Sequence, residues 1–264
     1  MLAHTLTRPA VDPVFMRSLQ SKIPDAVESF GSAAPCRGCR LRPTCVPTGL
    51  SDAEFDQFAA LVTTHRRLKT GQAIYRAGDV FKGIYLVRSG FIKTVALLED
   101  GREQVTGFYT AGDVLGIDAI GGVEHPTDAV ALEGSDVCLI AYERLEESSH
   151  DVLALQRYLH RALSVEIVRK QAMMVLLGSM RADERVATFL LNLSERLMQR
   201  GFSASEFILR MSREEIGSFL GIKLETVSRV FSKLQKAGLL QVEARHVRIV
   251  DLEALRATMH HEVA

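Results

Sequence analysis

The chain has 264 residues, 47% hydrophobic and 24% charged, with 32 basic side chains balancing 32 acidic ones. That size and composition suit one large or two modest globular domains. The longest apolar run, at residues 172–177, is far short of the ~20 residues a membrane-crossing helix needs. The opening stretch MLAHTLTRPAVDP carries no apolar segment of the secretory kind, so a cytoplasmic location and no membrane partner are expected. The zero net charge hides a strong asymmetry. Residues 112–151 hold ten acids against Arg144 alone, whereas 221–250 hold Lys223, Arg229, Lys233, Lys236, Arg245 and Arg248 against only Glu225 and Glu243. A local basic segment of this kind is the electrostatic footprint of a nucleic-acid contact.

Residues 1–50 form a Pro/Gly/Ser-rich arm with little periodicity, expected to order only around something it binds. Ser51 and Glu54 read as a capping box opening a short helix with Phe55, Phe58, Leu61 and Val62 on one face. From residue 68 to about 142 the pattern changes to short β-prone runs at 73–75, 84–87, 91–98, 104–109, 129–132 and 137–141. Glycines punctuate them at Gly71, Gly78, Gly83, Gly90, Gly101, Gly107, Gly112 and Gly116, as in an antiparallel roll or barrel. Residues 151–179 contain no proline and only Gly178, near the end, which predicts a helix about 40 Å long. One face is expected to pack on the roll and another to meet the same helix of a second chain, giving a homodimer. The last segment predicts a helix over 182–200 ended by Gly201, and a second capping box at Ser212 and Glu215. A Gly221 turn, a helix over 223–236, and a hairpin pairing 240–242 with 247–250 complete it. The domains are therefore expected at 1–50, 51–150, 151–180 and 181–264, in an α+β fold whose C-terminal unit is a winged helix-turn-helix.

Within 223–236, Leu224, Val227, Phe231 and Leu234 fall on one stripe expected to be buried, and Glu225, Ser228, Arg229 and Ser232 on the opposite one. An arginine can fork to guanine, a glutamate accepts from cytosine and serine adapts, so Glu225, Ser228 and Arg229 are candidate base readers of double-stranded DNA. Ser212 and Lys223, at the starts of the two helices, join them as DNA-binding candidates. An exposed Glu/Arg pair four residues apart is, by itself, commonly only a solvated ion pair. Its setting in a helix–glycine turn–helix with a basic flank favours the DNA reading.

Four cysteines are present. Cys36-x2-Cys39-x5-Cys45 lies on the arm, and Cys138 lies in a predicted strand whose alternation sends it and Ile140 to one face and Val137 and Leu139 to the other. Three clustered thiols and one remote thiol suit a four-thiolate site, which zinc and iron–sulfur clusters both accept; the spacing does not choose between them. Arg37, Arg40 and Arg42 beside the arm cysteines would favour their thiolates.

The runs IGSFLG (216–221) and LETVSR (224–229), with GQAIYRAGD (71–79), GIYLVRSGFIK (83–93), EQVTGFYTAGDVLGIDAIG (103–121) and QRGFSASEF (199–207), resemble the cyclic-AMP-receptor/FNR superfamily of bacterial regulators, most closely its oxygen-responsive FNR branch. The resemblance spans roughly residues 30–250. It implies a cyclic-nucleotide-binding-like jelly roll at the N-terminal side, a long dimerisation helix and a C-terminal winged helix-turn-helix. It also implies base contacts by Glu225, Ser228 and Arg229 on palindromic TTGAT-like sites, and an oxygen-labile 4Fe–4S cluster on Cys36, Cys39, Cys45 and Cys138. A zinc site or a thiol/disulfide switch on the same fold is the alternative. Activators of this family touch RNA polymerase through surface patches, for which Asp113 and Asp118 in the acidic stretch are candidates. Cyclic nucleotide binding is not expected: Ile117 stands where a ribose-binding glutamate belongs, and Glu124 to Thr127 contains no arginine for a cyclic phosphate. No dinucleotide fingerprint, P-loop, HExxH or nucleophile elbow occurs, so no enzyme is expected.

Overall fold

The computed structural model describes residues 36–39 and 50–258. Within them, α1 (Asp52–Leu61) starts as its capping box dictates. Ser51 Oγ accepts from the Glu54 amide, and the Glu54 carboxylate accepts from the Ser51 amide at 2.8 Å. Eight strands then build two antiparallel four-stranded sheets. One runs β1 (Val62–Leu68), β8 (Ser135–Ala141), β3 (Gly83–Ser89), β6 (Val114–Leu115). The other runs β2 (Ala73–Tyr75), β7 (Asp128–Ala131), β4 (Phe91–Leu97), β5 (Glu103–Thr110). Their facing sides close a core of Val87, Ile92, Tyr85, Tyr109 and Val137. The expected alternation along β8 holds: Val137 and Leu139 belong to this interior, while Cys138 and Ile140 face outward into a second apolar cluster with Phe58, Leu86 and Leu155.

Two of the strands, β1 and β6, were not among the expected runs. Neither was α2 (Tyr142–Asp151), which sits between the roll and α3 (Leu153–Ser179). One side of α3 lies on the roll: Glu166 accepts from Tyr109 Oη at 2.9 Å, Lys170 donates to the Thr106 carbonyl at 3.1 Å, and Leu176 is buried. On its opposite side Ile167, Val168, Met174 and Val175 are exposed in the single chain.

The C-terminal unit comprises α4 (Ala182–Met198), β9 (Glu206–Ile208), α5 (Arg213–Leu220), α6 (Leu224–Lys236), β10 (Leu240–Glu243), β11 (His246–Ile249) and α7 (Leu252–Ala257). β9 adds a third, unexpected strand to the wing, in the order β10-β11-β9. This unit is docked on the outer side of β4 and β5. Phe108 meets Phe219 and Phe189 at ring-centroid distances of 5.0 and 6.0 Å, each such pair contributing about 0.5–1.5 kcal/mol beyond its area. Lys93 Nζ pairs with Glu215 at 2.8 Å, and Ser218 Oγ accepts the Val105 amide at 2.8 Å.

A buried carboxylate ties the three parts together. Asp113 accepts from Arg169 of α3 at 3.1 Å, from Arg196 of α4 and from Arg200, just beyond α4, at 3.0 Å, and from the Thr110 amide at 2.7 Å. This corrects the expectation that Asp113 lies on a polymerase-facing surface: its side chain is enclosed by guanidinium groups, and of the two candidates only Asp118 is exposed. Burial pushes the Asp113 carboxyl up, but Arg196, Arg169 and Arg200 outweigh it and hold it below the usual carboxylate range.

Candidate cysteine centre and DNA-reading face

The reading face is set by two helix ends. Ser212 Oγ accepts the Glu215 amide and Glu215 accepts the Ser212 amide at 2.7 Å, fixing the start of α5. Ser212, proposed from sequence as a DNA contact, is thus engaged as a cap and is only partly exposed. Gly221 ends α5 at φ +64, and Arg185 donates to the Leu220 and Leu177 carbonyls at 3.0 and 2.8 Å, tying that turn to the end of α3. Lys223 then caps α6 in extended conformation. Val227, Val230, Phe231 and Leu234 are buried, whereas Glu225, Ser228, Arg229 and Ser232 stand exposed on the other side. Leu224, expected in the buried stripe, is instead 43% exposed, and Val230 takes its place. The reason is positional: Leu224 is the first helical residue and lies beyond the edge of the core. Arg229 Nη2 donates to Thr226 Oγ1 at 3.1 Å.

The cysteines come from two distant parts of the chain. Cys36 opens a single 3-10 turn (Cys36–Gly38) and packs against the same apolar cluster that contains Cys138. Cys39 and Cys138 both lie within electrostatic reach of the Arg88 guanidinium. Cys138 is buried on β8, with its Sγ 3.6 Å from His65 Nδ1. Cys36, Cys39 and Cys138 are outside any disulfide. Burial, then the neighbouring Cys39, push the Cys36 thiol up, with Arg88 opposing. Cys45, Arg40 and Arg42 lie outside the described residues. Among the described residues, no three His, Cys, Asp or Glu side chains are close enough to hold a metal ion. His65 and Arg88 were missed by sequence reasoning. Neither carries a motif of its own, and only the strand register brings them to Cys138.

A β-roll carrying a long helix and a docked winged helix-turn-helix is the architecture of a DNA-binding transcription regulator. Residues 184–258 match the model of the Crp-like helix-turn-helix domain, and 65–149 that of the cyclic nucleotide-binding domain. The chain is 40% identical over 242 residues to the fumarate and nitrate reduction regulatory proteins of Salmonella typhi and of Escherichia coli strain K12, covering 92% of this chain and 97% of each relative. The solved structure of FixK2 from Bradyrhizobium japonicum is similar with a TM-score of 0.69 and 33% identity, covering 76% of this chain and 98% of that one. The chain belongs to the Crp/Fnr family of transcription regulators, on its Fnr-like branch. No helix among the described residues is long and apolar enough to cross a membrane.

Proposed function

We propose that this protein is an oxygen-responsive global regulator of anaerobic metabolism. It binds palindromic TTGAT-like DNA as a homodimer while Cys36, Cys39, Cys45 and Cys138 hold a 4Fe–4S cluster. The observation that carries this reading is the meeting of the arm with β8. Cys36 shares an apolar cluster with Cys138, and Cys39 lies within electrostatic reach of Arg88 on the adjacent strand. The donor set fits an anionic thiolate-held group: soft sulfur ligands, a nearby cation and a largely dry surrounding. When bound, such a cluster supplies an oxygen-labile crosslink between arm and roll.

The remaining steps belong to this chain's own residues. With the arm fastened, the 36–39 segment covers the face of the roll on which Tyr158, Leu159 and Leu163 of α3 also pack. Fastening therefore biases how α3 presents Ile167, Val168, Met174 and Val175 to a second chain. A pair of chains places two α6 helices on two half-sites, where Arg229, Glu225, Ser228 and Lys223 read bases and backbone. Exposed Asp118 is a candidate contact for RNA polymerase.

A role without cyclic nucleotide is supported by what occupies the roll. Buried His125 stacks on Tyr75 of the interior with ring centroids 3.7 Å apart, while Ile117 is buried in the outer apolar cluster with Phe58 and Ile140.

The test is an anaerobic absorption spectrum with iron, sulfide and zinc counts. Brown protein with near-stoichiometric iron and sulfide is expected. Colourless protein, or protein holding zinc alone, would overturn the cluster reading and leave the DNA-reading half untouched.

A further inference from the structure

His65, Arg88 and Asp136 form a polar group that three neighbouring strands place on one face. His65 of β1 pairs with Cys138 of β8, and Leu86 of β3 pairs with Cys138 from the other side. Strand alternation carries Asp136, two residues from Cys138, to that same face, and Arg88, at the bulge between Val87 and Ser89, brings its guanidinium there too. Arg88 Nη1 lies 3.1 Å from Asp136 Oδ2 and 3.1 Å from His65 Nδ1. A guanidinium N–H can only donate, so His65 Nδ1 accepts, and the same ring lies against Cys138, whose Sγ is 3.6 Å from Nδ1 and 3.9 Å from Nε2. Cys39 and Cys138 both lie within electrostatic reach of the same guanidinium. One cation, held in place by a carboxylate, thus lies near an arm cysteine and braces the imidazole that packs against the strand cysteine.

We propose that Arg88 is the positioning residue of the cysteine centre: it holds Cys39 beside β8, fixes the His65 ring against Cys138, and offsets the negative charge of the thiolate-held group. Asp136 anchors the guanidinium through Nη1. The inference rests on the cluster reading above. Partners that orient ligands and neutralise charge in this way commonly tune both the lifetime and the potential of a metal group. An ordinary part-exposed ion pair would tune neither.

The experiment uses the full chain reconstituted anaerobically as wild type, R88Q, R88K and D136N. It reads the rate of colour loss under limiting oxygen, the reduction potential, and the unfolding midpoint of each cluster-free form. R88Q is expected to lose colour about tenfold faster than wild type and to shift its potential negative, with an unchanged cluster-free midpoint. R88K restores the potential, because it keeps the charge, but not the full lifetime, because a single ammonium cannot bridge Cys39, His65 and Asp136 together. D136N falls between R88K and R88Q in lifetime. R88Q with wild-type lifetime and potential overturns the proposal, as does a loss that only follows a lowered midpoint in the cluster-free form. If wild type is itself colourless and free of sulfide, the cluster reading fails first and this inference falls with it.

Discussion

Arg229 sits in the first two turns of α6 on the side away from Val227 and Val230, so removing it leaves the core intact. Arg229→Ala is therefore expected to weaken binding to a TTGAT-type palindrome by about 1–3 kcal/mol per lost base contact, with no change in melting temperature. Fluorescence anisotropy against cognate and scrambled duplexes checks this, and an equal loss on both would assign Arg229 to the phosphate backbone instead. Gly217 is different in kind. A Cβ there would lie 2.6 Å from the Ile222 carbonyl oxygen, so Gly217→Ala must push α6 away from α5. It should abolish specific binding while leaving the roll folded, as read by anisotropy and circular dichroism. The need for Gly221 was legible, because a glycine ending one helix before another begins announces a left-handed turn. The need for Gly217 was not, since the close approach spans a turn whose geometry local sequence does not specify. His65 and Arg88 were hidden for the same reason: cross-strand neighbours separated by 73 residues, as are His65 and Cys138, have no signature along the chain.

At the scale of elements, the capping boxes at Ser51 and Ser212 and the glycine-spaced β runs announced most of the fold, since both are local devices. β1 escaped because VTTHRRL is polar along its middle and gains its strand character from pairing with β8. β6 is two residues long, and α2 is too charged and short to show a clear apolar face. The long helix α3 was legible in length, and its division of labour is now visible: Glu166, Arg169 and Leu176 engage the body of the chain, and Ile167, Val168, Met174 and Val175 do not. An apolar stripe left in water on a helix of 27 residues calls for a partner helix. Ile167→Glu is expected to shift sedimentation under anaerobic conditions from dimer to monomer, with the cluster-free unfolding midpoint unchanged. A variant that remains dimeric would place the interface elsewhere.

For the whole molecule, Asp113 is the joint between roll, long helix and reading domain. Replacing it with asparagine leaves Arg169, Arg196 and Arg200 without their common anion, and breaking a buried pair in this way costs about 3–5 kcal/mol. Asp113→Asn should lower the urea midpoint at neutral pH and weaken DNA binding through lost domain registration. The sign of the pH effect follows from the depressed carboxyl. Its stabilisation is complete above the ordinary aspartate value and is lost as pH falls through the folded value. The wild type should therefore lose stability on acidification more steeply than Asp113→Asn in urea titrations, and parallel curves would show that the arginines do not hold the carboxylate.

In the proposed scheme the cysteine-held link between arm and roll decides whether two chains sit together on DNA. It is tested most directly on one anaerobic sample bound to a palindromic duplex, followed simultaneously by colour and by light-scattering mass while air is admitted. Colour, dimer mass and duplex binding are expected to decline together, and Cys138→Ser to begin where the aerated wild type ends. Bleached protein that stays a dimer on its duplex would contradict it.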